Sequence, residues 1–167
     1  MIKPSPLQVR SAVSVLVLAA STLVGLAVHE GYKDEAYIPV PGDVPTIGFG
    51  STDGVKMGDK TTPVRSLVRL LDEIDSVYAQ GVRKCVKVPL FPHEFGAFVS
   101  LAYNVGVPTF CRKALPGKPD NLIDLINKGK YAEACQRIEA FNKSGGKIYP
   151  GLVKRRAEER KICEGRA

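Results

Sequence analysis

Glu30, Asp43 and Thr46 lie close together in the stretch VHEGYKDEAYIPVPGDVPTIGFGST, Val28 to Thr52. Cleavage of a glycosidic bond by an inverting route needs a carboxylic acid to protonate the leaving oxygen and a group across the sugar ring to position and activate water. Glu30 is the candidate acid. It stands where an apolar segment meets a polar turn, and poor solvation at such a place favours the protonated form of a carboxyl group. A helix-end glutamate bonded to an arginine is the structural alternative. Asp43 belongs to a Pro-Gly-Asp turn signal and either reaches the water or serves only the turn. Asp34 and Glu35 read as solvated charges, and His29 as a structural histidine at a helix end.

The elements around these residues follow from pattern. Ala36 to Gly50, with three prolines, three glycines and alternating Val, Ile and Phe, predicts a small hairpin or sheet, the one extended region expected. From Pro63 to Lys84, apolar residues at Val64, Leu67, Val68, Leu71, Ile74, Val77, Tyr78 and Val82 predict one long amphipathic helix. Pro92 to Asn104, carrying Phe95, Phe98, Val99, Ala102 and Tyr103, predicts a buried helix ended by Gly106. PDNLIDLINKG and KYAEACQRIEAF form a helical hairpin broken at Gly129, and Pro150 opens a last basic helix. The fold class is α+β, mainly α.

Ahead of Glu30 lies an uncharged stretch, Ser11 to Val28, preceded by Lys3 and Arg10. As one helix its 18 residues would measure about 27 Å, marginal for a bilayer. Four Ala, three Ser, one Thr and one Gly dilute five Val and four Leu, so its preference for lipid is weak. Residues 1–28 are therefore expected to form an uncleaved N-terminal anchor that holds residues 29–167 outside the inner membrane and can leave it. A cleaved signal peptide and a buried helix of a soluble protein are the competing readings. Once released, the segment should be helical with Leu16, Leu23, Leu26 and Ala27 against the protein.

The totals are those of one domain: 167 residues with 24 Lys and Arg against 17 Asp and Glu, a net charge of +7. That surface favours polyanions, but the basic residues are spread along the chain without interleaved aromatics, which argues against nucleic acid as partner. Four cysteines, Cys85, Cys111, Cys135 and Cys163, without CxxC or Cys/His spacing, argue against a zinc site, and no metal or other cofactor is expected. In an exported protein they form two disulfides. Cys111 and Cys135 flank the helical hairpin and make the natural short loop, leaving Cys85 with Cys163.

Glu30-Gly31, Tyr37, Gly42 and Thr46-Ile47-Gly48-Phe49-Gly50, followed by FVSLAYNVG (98–106) and GGKIYPGLVKRRAEER (145–160), resemble the three blocks of the phage-type lysozymes, glycoside hydrolase family 24. The signal-anchor-release endolysins within it resemble the whole arrangement. The resemblance implies a two-lobed lysozyme-like fold with a long linking helix and a helical C-terminal lobe. It implies a monomer exported to the host periplasm that hydrolyses β-1,4 bonds between N-acetylmuramic acid and N-acetylglucosamine in peptidoglycan. Glu30 would be the general acid, Thr46 would help hold water, and Tyr37 and Asn104 would contact substrate, with a helix-capping role the alternative for Asn104. The family's aspartate nine residues after the glutamate is replaced by Pro39, so Asp43 is the stand-in candidate. The missing aspartate keeps a lytic transglycosylase open as an alternative, and an inactive membrane-held wall-binding module is another. Arg155 and Arg156 are expected to pair with acidic neighbours.

Overall fold

In the computed structural model, residues 9–112 and 120–166 are described; Lys3, Pro119 and Ala167 lie outside them. The described residues divide into two compact units, one of Ala20–Val77 and one of residues 9–19 together with the described residues from Tyr78 onward. We call them the hairpin unit and the helical unit.

The hairpin unit starts with α1 (Ala20–Glu30), which Gly31 ends at φ 70°, a conformation a side chain would resist. The chain turns into β1 (Lys33–Tyr37), which pairs antiparallel with β2 (Thr46–Gly48) through an irregular register, Lys33 opposite Gly48 and Tyr37 opposite Thr46. The other edge of β1 is met by residues 59–61, through Ala36 N–H to the Asp59 carbonyl (2.9 Å) and Thr61 N–H to the Asp34 carbonyl (2.8 Å). Ala36, Ile47 and Val55 form a small apolar cluster. The next helix, α2 (Pro63–Glu73), begins at Thr62, whose hydroxyl accepts from the Arg65 N–H, and packs on both α1 and β2.

Helical conformation runs on from α2 through a π-helical segment, Ile74–Ala79, into α3 (Gln80–Cys85). The expected long helix is therefore present in chain terms, but its buried stripe differs from the one its spacing predicts. Ser66, Leu70 and Ile74 are buried, whereas Val64 is 70 % and Val68 55 % exposed. Ser66 lies against Gly48 of β2, so packing on the hairpin selects the buried face of α2; the π turn, which takes more residues than an α turn, shifts the spacing only from Ile74 onward.

In the helical unit, α4 (Pro92–Val105) carries Phe95, Phe98, Val99 and Ala102 fully buried and stops at Gly106, φ 83°. It packs against α8 (Pro150–Cys163). Between them come α5 (Val107–Arg112), α6 (Leu122–Asn127), α7 (Tyr131–Arg137) and a second small hairpin, β3 (Lys143–Ser144) with β4 (Lys147–Ile148). Sequence pattern missed this hairpin, although its turn is Gly145-Gly146, both at positive φ, a strong two-residue hairpin signal. The helical hairpin broken at Gly129 is found as expected, as α6 and α7.

Two expectations need correction. The disulfides join Cys85 to Cys111 and Cys135 to Cys163, not Cys111 to Cys135 and Cys85 to Cys163. Packing of α3 on α5 and of α7 on α8 brings each observed pair of Cα atoms to 6.0 and 5.6 Å, within disulfide range. Second, Ser11–Val28 is not one helix. Ser11 bridges to Leu90, Val13–Val15 form a 3-10 turn, and α1 starts only at Ala20. Leu16, Leu26 and Ala27 are buried as expected and Leu23 is half-buried. Among the described residues, no helix is long and apolar enough to cross a membrane.

Candidate active site

Glu30 is the last residue of α1, half-buried where the helix gives way to β1. Across the hairpin, Thr46 opens β2 and is only 6 % exposed; its hydroxyl donates to the Val44 carbonyl at 3.1 Å. Tyr37 stands opposite Thr46 in the register and is half-buried. The connection between the strands contains a tight turn in which the Asp43 N–H donates to the Val40 carbonyl at 2.9 Å, with Gly42 at φ 91°. Pro41 and Gly42 at the two central positions are those of a type II turn. Asp43, the last residue of the turn, is exposed. The hairpin unit thus holds all three residues singled out by chemistry, with Pro39 in the exposed part of the same loop.

The turn after β2 is held on two sides. Ile47 and Ser51 exchange backbone hydrogen bonds of 2.9 and 3.1 Å around Gly48-Phe49-Gly50. Ser51, 2 % exposed, donates its hydroxyl to Glu73 Oε2 at 3.4 Å. Burial pushes the Glu73 carboxyl above its ordinary 4.5; the Ser51 hydroxyl and Arg69 pull it down, while Asp53 and Glu30 push it up. A second carboxyl group in electrostatic range of Glu30 was not foreseen. The Arg69 and Glu73 spacing on α2 is the available signal, but it reads as an ordinary surface pair.

Asn104 belongs to the helical unit, at the end of α4, beside a cleft of about 280 Å³ lined by Thr109, Lys143 and Ser144 among others. Its side-chain oxygen accepts from Arg156 Nη1 at 3.0 Å. Behind it lies a buried ionic cluster. Arg156, wholly buried, donates through Nη2 to Glu159 Oε1 at 2.8 Å, and Ser100 donates to the same oxygen at 2.8 Å. Arg155 Nε reaches it at 3.3 Å. Arg156 Nε also lies 2.7 Å from Glu159 Oε2, an ion-pair contact outside hydrogen-bond geometry. Burial pushes Glu159 up and Arg156 down, and the pairing opposes both. The expected pairing of Arg155 and Arg156 with an acidic neighbour is therefore present. Among the described residues, no group of His, Cys, Asp and Glu could hold a metal ion.

The family model described as phage lysozyme matches residues 27–159. An endolysin of Bacillus phage PZA is 34% identical over 80% of this chain but 49% of its own length. The chain thus spans about half the length of the Bacillus phage relatives it matches. A SAR-endolysin of Pseudomonas phage phiKMV is 36% identical, with 86% of each chain covered. Among solved structures, an endolysin from Escherichia coli O157:H7 phage FAHEc1 superposes with a TM-score of 0.74 at 30% identity, covering 89% of this chain and 94% of that one.

Proposed function

The chain belongs to the phage lysozyme family, and from that premise we propose that it is an endolysin, a muramidase cutting the β-1,4 bond between N-acetylmuramic acid and N-acetylglucosamine in peptidoglycan. The observation that carries this reading is the placement of Glu30 at the last position of α1, directly before the hairpin that buries Thr46. Glu30 gives its proton to the glycosidic oxygen as the bond to the anomeric carbon breaks. Water held by Thr46 attacks that carbon from the other face, its proton passing to Asp43; Asp43 then releases that proton to solvent, and solvent restores the proton of Glu30. Tyr37 and Asn104 contact the glycan or its stem peptide, and no metal or other cofactor takes part.

The protein works as a monomer in the host periplasm after a period at the inner membrane, held there by residues 1–28. The weak apolarity of Ser11–Val28 and the SAR-endolysin relative support that part of the reading. The folded segment seen here is then its released form.

Glu30→Gln should slow clearing of permeabilised bacteria by about 10²–10⁴-fold with no loss of thermal stability. Mass spectrometry of murein digested by the wild type should show reducing ends. Retained lytic rate in the variant, or anhydro-muramic ends, would overturn the assignment.

A further inference from the structure

The part of the N-terminal segment in the helical unit is attached by polar contacts more than by apolar ones. The Arg10 guanidinium forms a two-pronged pair with Glu94, Nε to Oε2 at 3.0 Å and Nη2 to Oε1 at 2.6 Å. It lies between two rings, 4.2 Å from the centroid of Phe91 and 3.7 Å from that of Tyr131. Ser11 and Leu90 exchange two backbone hydrogen bonds of 2.9 Å, and Arg83 Nη2 donates to the Leu16 carbonyl at 2.8 Å. Glu94 is 3 % exposed, and its Oε2 also accepts from the Phe91 N–H at 2.8 Å, capping α4. Arg10, Phe91, Glu94 and Tyr131 line a cavity that two other arginines, Arg160 and Arg166, also line, and these pair with Glu139 and Glu164.

The apolar side of the balance is thin. Within Ser11–Val28 the buried residues are Val13, Leu16, Leu26 and Ala27, while Val15, Val17, Val24 and Val28 are 58–77 % exposed. A segment that leaves lipid for this position hydrates about as many large apolar side chains as it covers. Something else must favour the docked state, and a nearly buried carboxylate that gains a flat, bidentate, doubly stacked countercharge is the strong candidate.

We propose that the Arg10 site formed by Glu94, Phe91 and Tyr131 is the receptor that captures the N-terminal segment and drives its departure from the bilayer. The inference rests on the membrane-held reading above and adds the residues that set its direction. Arg10 serves twice: before the apolar stretch it fixes the orientation of insertion, and after release it is the group that the helical unit grips.

Glu94→Gln is the cleanest test because it leaves the N-terminal sequence untouched and its amide oxygen still accepts from Phe91 N–H. Arg10→Lys keeps the charge ahead of the apolar stretch but loses the fork and the flat stacking face. Full-length wild type and both variants would be expressed in bacteria, and the ratio of soluble to membrane-bound protein followed with time. Each variant should lower that ratio by about tenfold, as expected for breaking a largely desolvated ion pair. Limited proteolysis of the soluble fraction should cut residues 9–19 faster than in the wild type. Tyr131→Leu, which removes one stacking face and no charge, should fall between. Lysis by the detergent-extracted variants verifies that they are folded. Release of both charge variants at the wild-type rate would overturn the capture mechanism while leaving the anchor intact. A wild type that is never membrane-bound would overturn the anchor and this inference together.

Discussion

Glu30 shares its unit with a carboxyl group that water reaches poorly. Glu73 lies at the end of α2, hydrogen-bonded by the buried Ser51 and facing Arg69 on its own helix, Asp53 in the preceding loop and Glu30 on α1. Because burial raises its proton affinity above the ordinary 4.5, the folded chain holds this proton at pH values where the unfolded chain has lost it. The resulting stability is complete below about pH 4.5 and is lost as pH rises through the elevated value. Glu73→Gln stays neutral throughout, so the wild-type melting temperature minus that of the variant should fall as pH rises through this window. A difference that grows with pH would contradict the burial argument. Glu73 was hidden in the sequence because its burial comes from packing and its hydrogen-bond partner stands 22 positions earlier, whereas the setting of Glu30 was legible because helix end, acid and turn are consecutive.

At the level of elements, β2 and α2 approach each other closely enough to exclude a side chain. A Cβ at Gly48 would lie 2.5 Å from Ser66 Oγ and 2.8 Å from Ser66 Cβ, and the residue sits at φ 65°. Gly48→Ala should therefore cost about 1–3 kcal/mol in urea denaturation and reduce lysis as well, since the same strand positions Thr46. Neutral stability would mean that the strand can move away from the helix without penalty. Turns and helix ends of this kind were readable: Thr46-Ile47-Gly48-Phe49-Gly50, Gly106 and Gly129 all stand where local punctuation placed them. The buried face of α2 was not, because packing turns Ser66 toward Gly48 of β2 and leaves Val64 and Val68 in solvent, a choice that apolar spacing does not encode.

For the molecule as a whole, both disulfides lie in the helical unit and close chain separations of 26 and 28 residues. Each should contribute about 3–4 kcal/mol by restricting the unfolded chain. Digestion without reductant should yield peptides linking Cys85 with Cys111 and Cys135 with Cys163, and reductant should lower the melting temperature. A peptide joining Cys111 to Cys135 would reject this pairing.

The sequence by itself determined the helical punctuation, the Glu30 to Thr46 motif, the weakly apolar N-terminal stretch and the family, since each resides in neighbouring residues or in their order. Only the tertiary structure decided which cysteines meet, that Arg156 and Glu159 are buried together beneath Asn104, and that Arg10 finds Glu94 across 84 positions. Spacing along a chain specifies which face of an element a residue occupies. Which two faces come together is settled by packing the whole chain at once, and there burial turns ordinary charges into specific partners.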